Sequence, residues 1–503
     1  MWLSPAACVA HWGRYDPHRP AVLLDGALIS YGRLASAAAA TAKLLGERDL
    51  CGRRIGVVCG RKAEFLRAVV GAQLAGCSTV VLHPTWDAET AAAAIEDTKP
   101  VCFLADSRGR EALKNASCRG EILPIRDLRT GGRSLAEASF PGCARAMNDE
   151  WGVVFSSGST GSPKPVIYSE YAIVTECVAW CIELGMRRGE AMYLARPMYY
   201  TGGMALAFST LMTRGLLVLD SFADENDARE IQASMAAVAQ SRHLDRCFLV
   251  PELVRGMISE GNHWATPGNP AMCLVMGSKF HVDEKRGLQA LLGSAIVESW
   301  GNSEGLGTIT DPEDLDARPE SIGRPFLTER LWIMDEQLQP CAAGEIGRIV
   351  GSDETMFQEY ANRPADTEAT KKESKVLSGD MGRRDQDGFF YIVGRMDEVV
   401  TTGDVVIAAP ALEEVIRKLP GIRDASVAIE AVGPREFRFL VLLATERIGS
   451  REEWQRLLNR ALGKLSKRVK KDVVVKIVDA IPRLSSGKTD RTRARELVLR
   501  EKV

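Results

Sequence analysis

Apolar residues follow two alternating spacings along the first part of the chain. Helical spacing in alanine-rich stretches predicts helices over residues 31–45 and 62–74, and short apolar runs predict strands over 55–59, 79–82 and 101–105. Strands that alternate with helices favour parallel sheets covered by helices on both faces. Such sheets carry ligand-binding loops at the carboxyl ends of their strands, so functional residues are expected in the loops that follow them.

The last part of the chain has a different pattern. Helical spacing recurs over residues 411–419 and 454–465, and apolar runs near 425–429 and 437–443 predict strands. Strands and helices no longer alternate regularly there. This pattern predicts a small, separate α+β domain.

Length and composition fit a globular protein with more than one domain. A chain of 503 residues exceeds one ordinary core, and 46% apolar with 26% charged residues is typical of globular folds. A net charge of −2 supplies no basic face, so nucleic acid is not expected as a partner.

Several features predict a cytoplasmic protein. The N-terminus lacks the charged region of a signal peptide, and no apolar run reaches the roughly 20 residues of a membrane span. The 12 cysteines show neither the spacing of a zinc site nor that of a disulfide framework. The absence of such a framework fits a reducing compartment.

A loop rich in glycine and hydroxyl groups lies between two predicted strands, 151–155 and 165–168. Its sequence is Ser156-Ser157-Gly158-Ser159-Thr160-Gly161-Ser162-Pro163-Lys164. Glycines let backbone N–H groups turn inward, and the hydroxyls and the lysine add donors, so the loop has the groups that bind a triphosphate. It is not the G-x-x-x-x-G-K-[ST] loop, because the lysine lies three residues after the second glycine. By itself such a stretch is more often a flexible surface loop.

Four further stretches accompany this loop in a fixed order. They are Trp300-Gly301-Asn302-Ser303-Glu304, Leu377-Ser378-Gly379-Asp380, Gly394-Arg395-Met396-Asp397 and Pro482-Arg483-Leu484-Ser485-Ser486-Gly487-Lys488. Together the five resemble the motifs of the adenylate-forming superfamily, which includes acyl- and aryl-CoA ligases, peptide-synthetase adenylation domains and luciferases. Residues 31–86 also follow that family's N-terminal pattern, so the resemblance covers nearly the whole chain.

The resemblance implies an α/β fold with two domains. Residues 1–396 are expected to form a large N-terminal ATP- and acid-binding domain of parallel α/β sheets with a β-rich subdomain. Residues 397–503 are expected to form a small mobile α+β C-terminal domain that carries the catalytic lysine. The hinge between them is expected near Asp397. The turn signals at 321–325 and 344–347 are typical of the family's β-rich region.

The resemblance also implies ATP- and Mg²⁺-dependent activation of a carboxylic acid, with an acyl- or aryl-adenylate as product and pyrophosphate released. An anion must attack an anionic phosphorus, so the site has to neutralise charge and fix an in-line geometry. Lys488 corresponds to the catalytic lysine that bridges the carboxylate and the α-phosphate. Glu304 corresponds to the Mg²⁺ ligand, since this hard cation prefers carboxylate and phosphate oxygens. Outside their motifs the two would be an exposed lysine in a polar tail and a lone surface glutamate.

Other residues are implied to bind the nucleotide. Trp300 offers a stacking face for adenine, Asp380 accepts from ribose hydroxyls, and Arg395 donates to ribose or phosphate. Each of these three has an alternative as an ordinary turn or salt-bridge residue. The full predicted set is Ser156, Ser157, Gly158, Ser159, Thr160, Gly161, Lys164, Gly277, Ser278, Ser299, Trp300, Gly301, Asn302, Ser303, Asp380 and Arg395.

The segment at 196–203 resembles the family's Pro-x-x-His-x-x-Gly motif at the acyl pocket. Tyr200 stands where histidine is frequent, and it is predicted as a catalytic-site residue that walls or gates the acid's site. The alternative is a core aromatic pair before a buried helix. The family's aspartate that holds an α-ammonium group is absent, which argues against an α-amino acid as substrate. Lys279, after the Gly277-Ser278 turn, either meets an acidic substrate group or points to solvent.

The acyl acceptor stays open. The family's hinge loop carries a lysine where this chain has Thr401, and in the family that loop faces the site during the second half-reaction. Coenzyme A is the expected acceptor, and a separate carrier protein's phosphopantetheine or an amine is the alternative. A non-catalytic nucleotide sensor on the same fold is a third hypothesis, against which the presence of both Lys488 and Glu304 argues.

Overall fold

The computed structural model describes residues 4–60, 62–125, 145–156, 163–221, 227–260, 269–353, 356–402, 405–433, 435–446, 449–463, 469–483 and 489–500. The chain forms two compact units, Met1–Leu331 with Gly351–Val376 and Trp332–Val350 with Leu377–Val503. Within the described ranges, every helix falls short of the length and apolar character that a membrane span requires. The domain boundary expected at Asp397 stays a prediction.

The helices are α1 (Pro5–Tyr15), α2 (Tyr31–Gly46), α3 (Lys62–Leu74), α4 (Ala88–Thr98), α5 (Ser107–Asn115), α6 (Glu170–Glu183), α7 (Thr201–Met212), α8 (Ala228–Ser241), α9 (Pro251–Glu260), α10 (Val282–Leu292), α11 (Asp314–Ala317), α12 (Pro364–Thr370), α13 (Ala409–Arg417), α14 (Arg451–Gly463) and α15 (Arg491–Leu499), with a short 3-10 helix at Met396–Glu398.

The strands are β1 (Pro20–Leu24), β2 (Ala27–Ser30), β3 (Arg54–Val58), β4 (Ser78–Val81), β5 (Cys102–Ala105), β6 (Glu121–Pro124), β7 (Glu150–Phe155), β8 (Pro165–Ser169), β9 (Ala191–Leu194), β10 (Leu216–Leu219), β11 (Arg246–Leu249), β12 (Met272–Met276), β13 (Ala295–Gly301), β14 (Gly307–Ile309), β15 (Arg324–Pro325), β16 (Glu329–Met334), β17 (Ile346–Asp353), β18 (Lys371–Lys372), β19 (Lys375–Arg384), β20 (Phe390–Arg395), β21 (Val399–Thr402), β22 (Val405–Ala408), β23 (Ile422–Gly433), β24 (Glu436–Thr445) and β25 (Lys470–Val478).

The first sheet has six strands in the order β6-β5-β3-β4-β7-β8. Its first five strands pair in parallel, with Ile55 opposite Thr79 on one side and Cys102 on the other. Only β7 and β8 pair antiparallel. The inner strands are buried apolar runs, as parallel strands covered on both faces require, and this confirms the predicted alternation of strands and helices.

The second sheet has nine strands in the order β15-β14-β13-β12-β11-β9-β10-β1-β2. Strands β13, β12, β11, β9, β10 and β1 are parallel, and the antiparallel β2, β14 and β15 lie at the edges. Helix α7 is almost entirely buried, and the phenol of the fully buried Tyr31 on α2 donates to the carbonyl oxygens of Leu211 and Gly215 at its end. The buried apolar residues of both helices therefore belong to one core.

A five-stranded sheet follows, in the order β16-β17-β19-β18 with β20 beside β19, where the β-rich region is predicted. In the second unit, β23-β24-β25 form a sheet with apolar residues on both faces. Trp454 and Leu458 of α14 pack with Leu412 of α13 on one face, and Val498 of α15 packs on the other. This α+β arrangement is the predicted one.

Cysteine pairing departs from the expectation drawn from spacing. Ten cysteines of the described residues are free thiols, whereas Cys51 is disulfide-bonded. Spacing along the chain did not predict this bond, because partners in a disulfide are chosen by proximity in the fold.

Candidate functional site

The predicted site residues of the first unit lie at the carboxyl ends of parallel strands. Ser156 directly follows β7, and Gly277 directly follows β12. Ser299 and Trp300 are the last but two and last but one residues of β13, and Tyr200 lies between β9 and α7. Elements from two different sheets thus supply these residues, as the α/β prediction expects.

The glycine- and hydroxyl-rich loop is closed at its base. The Ser156 backbone N–H donates to the Lys164 carbonyl oxygen at 3.0 Å, and the Lys164 N–H donates to Ser156 Oγ at 3.2 Å. The loop is therefore the connection of the antiparallel pair β7-β8, held at both ends as predicted. Its interior, with the predicted residues Ser157, Gly158, Ser159, Thr160 and Gly161, lies outside the described residues.

Lys164 contacts two groups from one segment further along the chain. Its Nζ lies 2.8 Å from Asp366 Oδ1 and 5.1 Å from the centroid of the Tyr360 ring. Both partners follow β17, where residues 358–361 run antiparallel to β8. The ammonium group is thus held between a carboxylate and an aromatic face.

The turn after β13 places Glu304 beside the same segment. Asn302 closes the turn, since its backbone N–H donates to the Leu306 carbonyl oxygen and its Oδ1 accepts from the Leu306 N–H, each at 3.0 Å. The Glu304 carbonyl oxygen accepts from Phe357 N–H at 3.1 Å, and Glu304 Oε1 accepts from the Tyr360 hydroxyl at 2.5 Å. The Ser303 carbonyl oxygen accepts from the phenol of Tyr168. Five hydrogen bonds therefore fix this turn.

A buried ion pair anchors β13 itself. Lys285 Nζ lies 2.5 Å from Glu298 Oε2, and the two side chains are 5% and 8% exposed. Burial raises the pKa of Glu298 and Lys285 counteracts it. The register of Ser299 and Trp300, which follow Glu298 directly, is held by this pair.

Tyr200 belongs to a compact polar and aromatic cluster. His83 Nε2 lies 3.0 Å from the Tyr200 hydroxyl, and the Arg196 guanidinium lies 5.2 Å from the centroid of the Tyr200 ring. The His83 ring also packs on Tyr199 and Trp86. Burial and the positive charge of Arg196 lower the pKa of His83 to about 3, so its imidazole is neutral at pH 7. A buried helix does follow Tyr200, as the alternative interpretation expected, and Tyr200 itself stays partly exposed.

Two glycines bring the start of α7 close to the end of β12. A Cβ atom on Gly202 would lie 2.7 Å from the sulfur of Met276, so any larger residue here would require the Met276 side chain to shift. Gly277 adopts φ +117°, in the region that favours glycine. Ser278 Oγ donates to Glu252 Oε1 at 2.8 Å, whereas Lys279 is exposed.

In the second unit, the two predicted ribose-binding residues face each other across a strand pair. Asp380 on β19 lies opposite Arg395 on β20, and Arg395 Nη1 is 3.1 Å from Asp380 Oδ1. A Cβ on Gly379 would collide with the Arg395 guanidinium at 2.3 Å, which explains the glycine before Asp380. Ser378 Oγ accepts from Asp380 N–H at 3.0 Å. Asp380 is 7% exposed, so its charge is balanced locally by Arg395.

Lys488 lies outside the described residues, but the base of its loop is described. Arg483 and Thr489 form an antiparallel bridge, and Asp490 N–H donates to the Pro482 carbonyl oxygen at 2.9 Å. Arg491 then pairs with Glu398 at 2.5 Å and with Glu413 at 2.6 Å. Since Glu398 follows Asp397 directly, one arginine links the segment of the predicted hinge to the base of the Lys488 loop.

Sequence reasoning missed four of these residues: His83, Tyr360, Asp366 and Arg491. Each contributes through a contact with a residue far away in the sequence. Weak signals existed for two of them, because His83 precedes a proline at a strand end and Tyr360 lies shortly before an Asn-Arg-Pro turn. Those signals mark loops, and they do not show which partners the loops meet.

Among the described residues, no group of three or more histidine, cysteine, aspartate or glutamate side chains could hold a metal ion.

A scan against known families matches this chain at residues 9–361 with the model described as AMP-binding enzyme. This match confirms the family expected from the five motifs. Among curated proteins, a sulfoacetate–CoA ligase of Cupriavidus necator is 25% identical over 68% of this chain and 66% of its own length. The chain thus spans slightly less than two thirds of that relative. A feruloyl-CoA synthase of Amycolatopsis is 23% identical over 94% of this chain and 95% of its own.

Solved structures show the same fold. The O-succinylbenzoate coenzyme A synthetase of Bacillus subtilis, in complex with ATP and magnesium ion, superposes with a TM-score of 0.83 at 19% identity over 97% of this chain and 99% of that one. An amide bond synthetase of Marinactinospora thermotolerans gives a TM-score of 0.80 at 20% identity over 98% and 100%. At these identities the likeness concerns the fold.

Proposed function

Because the chain belongs to the AMP-binding enzyme family, we propose that it activates a carboxylic acid with ATP and Mg²⁺, forming an acyl- or aryl-adenylate and releasing pyrophosphate. The observation that carries the proposal is that Lys164 and Glu304 both contact the buried Tyr360. A mobile cation and a carboxylate are thereby placed close to the same tyrosine. Pyrophosphate and its metal ion need this combination of charges.

Glu304 fits a magnesium ligand. The group that contacts its carboxylate is the neutral phenol of Tyr360, and within the described residues no lysine or arginine pairs with it. The side chain thus keeps a negative charge for a hard cation. Bound Mg²⁺ would supply charge stabilisation to the phosphate oxygens, and Glu304 would hold it together with those oxygens.

Lys164 serves the β- and γ-phosphates in this proposal. Its ammonium pairs with Asp366, at side-chain exposures of 29% and 38%. A solvent-accessible pair of this kind holds weakly, so a triphosphate with a greater charge can replace Asp366 as the partner. The Tyr360 ring keeps the ammonium nearby during that exchange.

Asp380 and Arg395 would bind the ribose. Arg395 already donates to Asp380 Oδ1, but each carboxylate oxygen accepts more than one hydrogen bond. The pair orients the carboxylate, and a ribose hydroxyl can donate to its remaining lone pairs. Trp300, half-buried at the end of β13, would stack on adenine.

Lys488 is proposed as the catalytic lysine. Its ammonium would bridge the substrate carboxylate and the α-phosphate while the bond to pyrophosphate breaks, so it acts on charge that develops in the transition state. The role rests on the complete Pro-x-x-x-x-Gly-Lys motif. The closed loop base at Arg483 and Thr489 is compatible with a lysine presented at a defined position.

The acid is proposed to lie near Tyr200. Its phenol ring packs against Tyr199, and its hydroxyl is held by a neutral histidine. Such a wall suits an apolar acyl or aryl group. The expected substrate is a carboxylic acid without an α-amino group.

Coenzyme A is the proposed acyl acceptor, with a carrier-protein phosphopantetheine or an amine as the alternative. The chain resembles both CoA ligases and an amide bond synthetase, and Thr401 replaces the family's hinge-loop lysine.

The test is pyrophosphate release with ATP and Mg²⁺ across aliphatic, aromatic and amino acids, each with and without coenzyme A. Acid-dependent release with a CoA thioester supports the proposal. Release without a thioester shifts the acceptor to a carrier or an amine. No release with any acid, combined with measurable ATP binding, favours the sensor hypothesis. Lys488→Ala should retain ATP binding and lose release, and equal release by variant and wild type would remove Lys488 from the mechanism.

A further inference from the structure

Tyr360 is a buried tyrosine that the five motifs do not include. Its side chain is 3% exposed, and its backbone N–H donates to Thr367 Oγ1 at 3.0 Å. The flanking backbone pairs with β8, from the Pro165 carbonyl oxygen to the Ile167 amide and carbonyl groups. Its position is therefore fixed by main-chain bonds that do not depend on its side chain.

The segment around Tyr360 is also anchored beyond β8. Arg363 makes two hydrogen bonds to Asp97 Oδ2 on α4, at 2.9 and 2.7 Å. Lys371 donates to the carbonyl oxygens of Phe357 and Gln358. A side chain carried by such a segment cannot move far without breaking several bonds.

The hydroxyl and the ring of Tyr360 contact different residues. The hydroxyl donates to Glu304 Oε1 at 2.5 Å, and the ring presents its face to Lys164 Nζ at 5.1 Å from the centroid. A carboxylate has no proton to donate, so the Tyr360 hydroxyl is the donor in this contact and Glu304 is the acceptor. Phe357 packs beside the ring at 4.8 Å and restricts its rotation.

We infer that Tyr360 is a positioning residue that holds the metal-binding carboxylate through its hydroxyl and the phosphate-binding ammonium through its ring. This inference rests on the proposed function of Glu304 and Lys164. One side chain thereby sets the distance between the two groups before the nucleotide arrives, which lowers the cost of ordering them on binding.

The two contacts can be separated by substitution. Tyr360→Phe keeps the ring and removes the hydroxyl, whereas Tyr360→Leu removes both. Loss of a hydrogen bond to a charged group should raise the Mg²⁺ concentration for half-maximal tightening of ATP binding about 10-fold in both variants. Loss of the aromatic face should also weaken ATP binding without Mg²⁺ about 2- to 5-fold, and only in Tyr360→Leu.

The measurement is calorimetric titration of the full chain with ATP across a series of MgCl₂ concentrations, without any acid. Tyr391→Phe is the matched control, because the Tyr391 hydroxyl likewise donates to a carboxylate, Asp385 Oδ2 at 3.0 Å, and its ring likewise faces a cation, Arg383 at 3.9 Å. The control should behave as wild type.

The outcomes separate the inference from the proposal beneath it. Wild type that does not bind ATP overturns the proposed function. Wild type that binds ATP with Mg²⁺, together with an unchanged Mg²⁺ midpoint in a folded Tyr360→Phe, overturns the positioning role alone. Should Tyr360→Leu fail to fold, Tyr360→Phe still decides the contact to Glu304.

Discussion

Two carboxylate sites of this protein differ in what balances their charge. In the first unit, Glu304 accepts from the neutral Tyr360 phenol. In the second, Glu398 and Glu413 both pair with the guanidinium of Arg491. A neutral donor orients a carboxylate and leaves its negative charge unbalanced, whereas the positive charge of an arginine neutralises it. The first arrangement leaves a group able to bind a cation, and the second holds a structure together.

The pKa shifts at the arginine site agree with this difference. Burial raises the pKa of Glu398, while the Arg491 charge acts in the opposite direction. The neighbouring Glu413 and Glu398 raise the pKa of Arg491, against the effect of its own burial. The three groups therefore depend on one another for their charged states.

The largest expected effect is on activity, and it follows from removing the negative charge of Glu304. Glu304→Gln should keep the hydrogen bond from Tyr360 but lower kcat/KM for adenylate formation by about 100- to 1,000-fold. Its free energy of unfolding should change by less than about 1 kcal/mol. The control is Glu359→Gln, which removes the same charge at the exposed position next to Tyr360. Comparable activity in the two variants would contradict the metal-ligand role.

At the Arg491 site, the expected effect is on stability. Arg491→Met leaves Glu398 and Glu413 without their cation, which should lower the free energy of unfolding by about 2–4 kcal/mol in urea denaturation. The value stays below that of a fully buried pair because the Arg491 side chain is 31% exposed. Arg495→Met, which breaks the more exposed pair with Glu430, should cost less than about 1 kcal/mol. Equal losses of stability in both variants would show that the Arg491 ion pairs stabilise the protein no more than an exposed pair does.

A third site, at His83, buries a titratable group in its neutral form. Its pKa is about 3 in the folded protein and near 6.5 when unfolded, so acidification below about pH 6.5 adds a proton to the unfolded chain only. The free energy of unfolding should therefore fall by about 1–2 kcal/mol from pH 7 to pH 5 through this group.

Urea denaturation at the two pH values tests this expectation. His83→Asn should remove that part of the pH dependence. His243→Asn, at a histidine whose side chain is 59% exposed, should keep the wild-type difference. A wild-type pH dependence in His83→Asn would show that the imidazole is not buried in the neutral form.

The smallest effect concerns the exposed partner of Lys164. Asp366→Asn removes the carboxylate that competes with phosphate for the ammonium, so ATP affinity should rise about 2- to 5-fold in calorimetric titration. Stability should change by less than about 1 kcal/mol, because the pair is solvent-accessible. Weaker ATP binding in this variant would mean that Asp366 orients Lys164 for the nucleotide instead of competing with it.

The alternation of strands and helices and the order of the motifs follow from consecutive residues alone. The predicted helix at 62–74 is α3 as observed. The predicted strand at 55–59 is shifted by one residue from β3 at both ends, and the predicted strand at 101–105 begins one residue before β5. Apolar spacing predicts these elements because burial of one face or both faces of an element is a property of consecutive residues. The prediction for the loop at 156–164 is equally local, because it depends on glycines and hydroxyl groups at nine neighbouring positions.

Contacts between distant side chains, in contrast, are fixed by how the chain folds. Tyr360 lies 56 residues from Glu304, and His83 lies 117 residues from Tyr200. No spacing along the chain encodes such contacts, because they depend on which strands pair and on how far each strand extends. A glutamate read from the sequence alone has a charge of −1, but whether a neutral phenol or a guanidinium lies beside it decides what that charge can do.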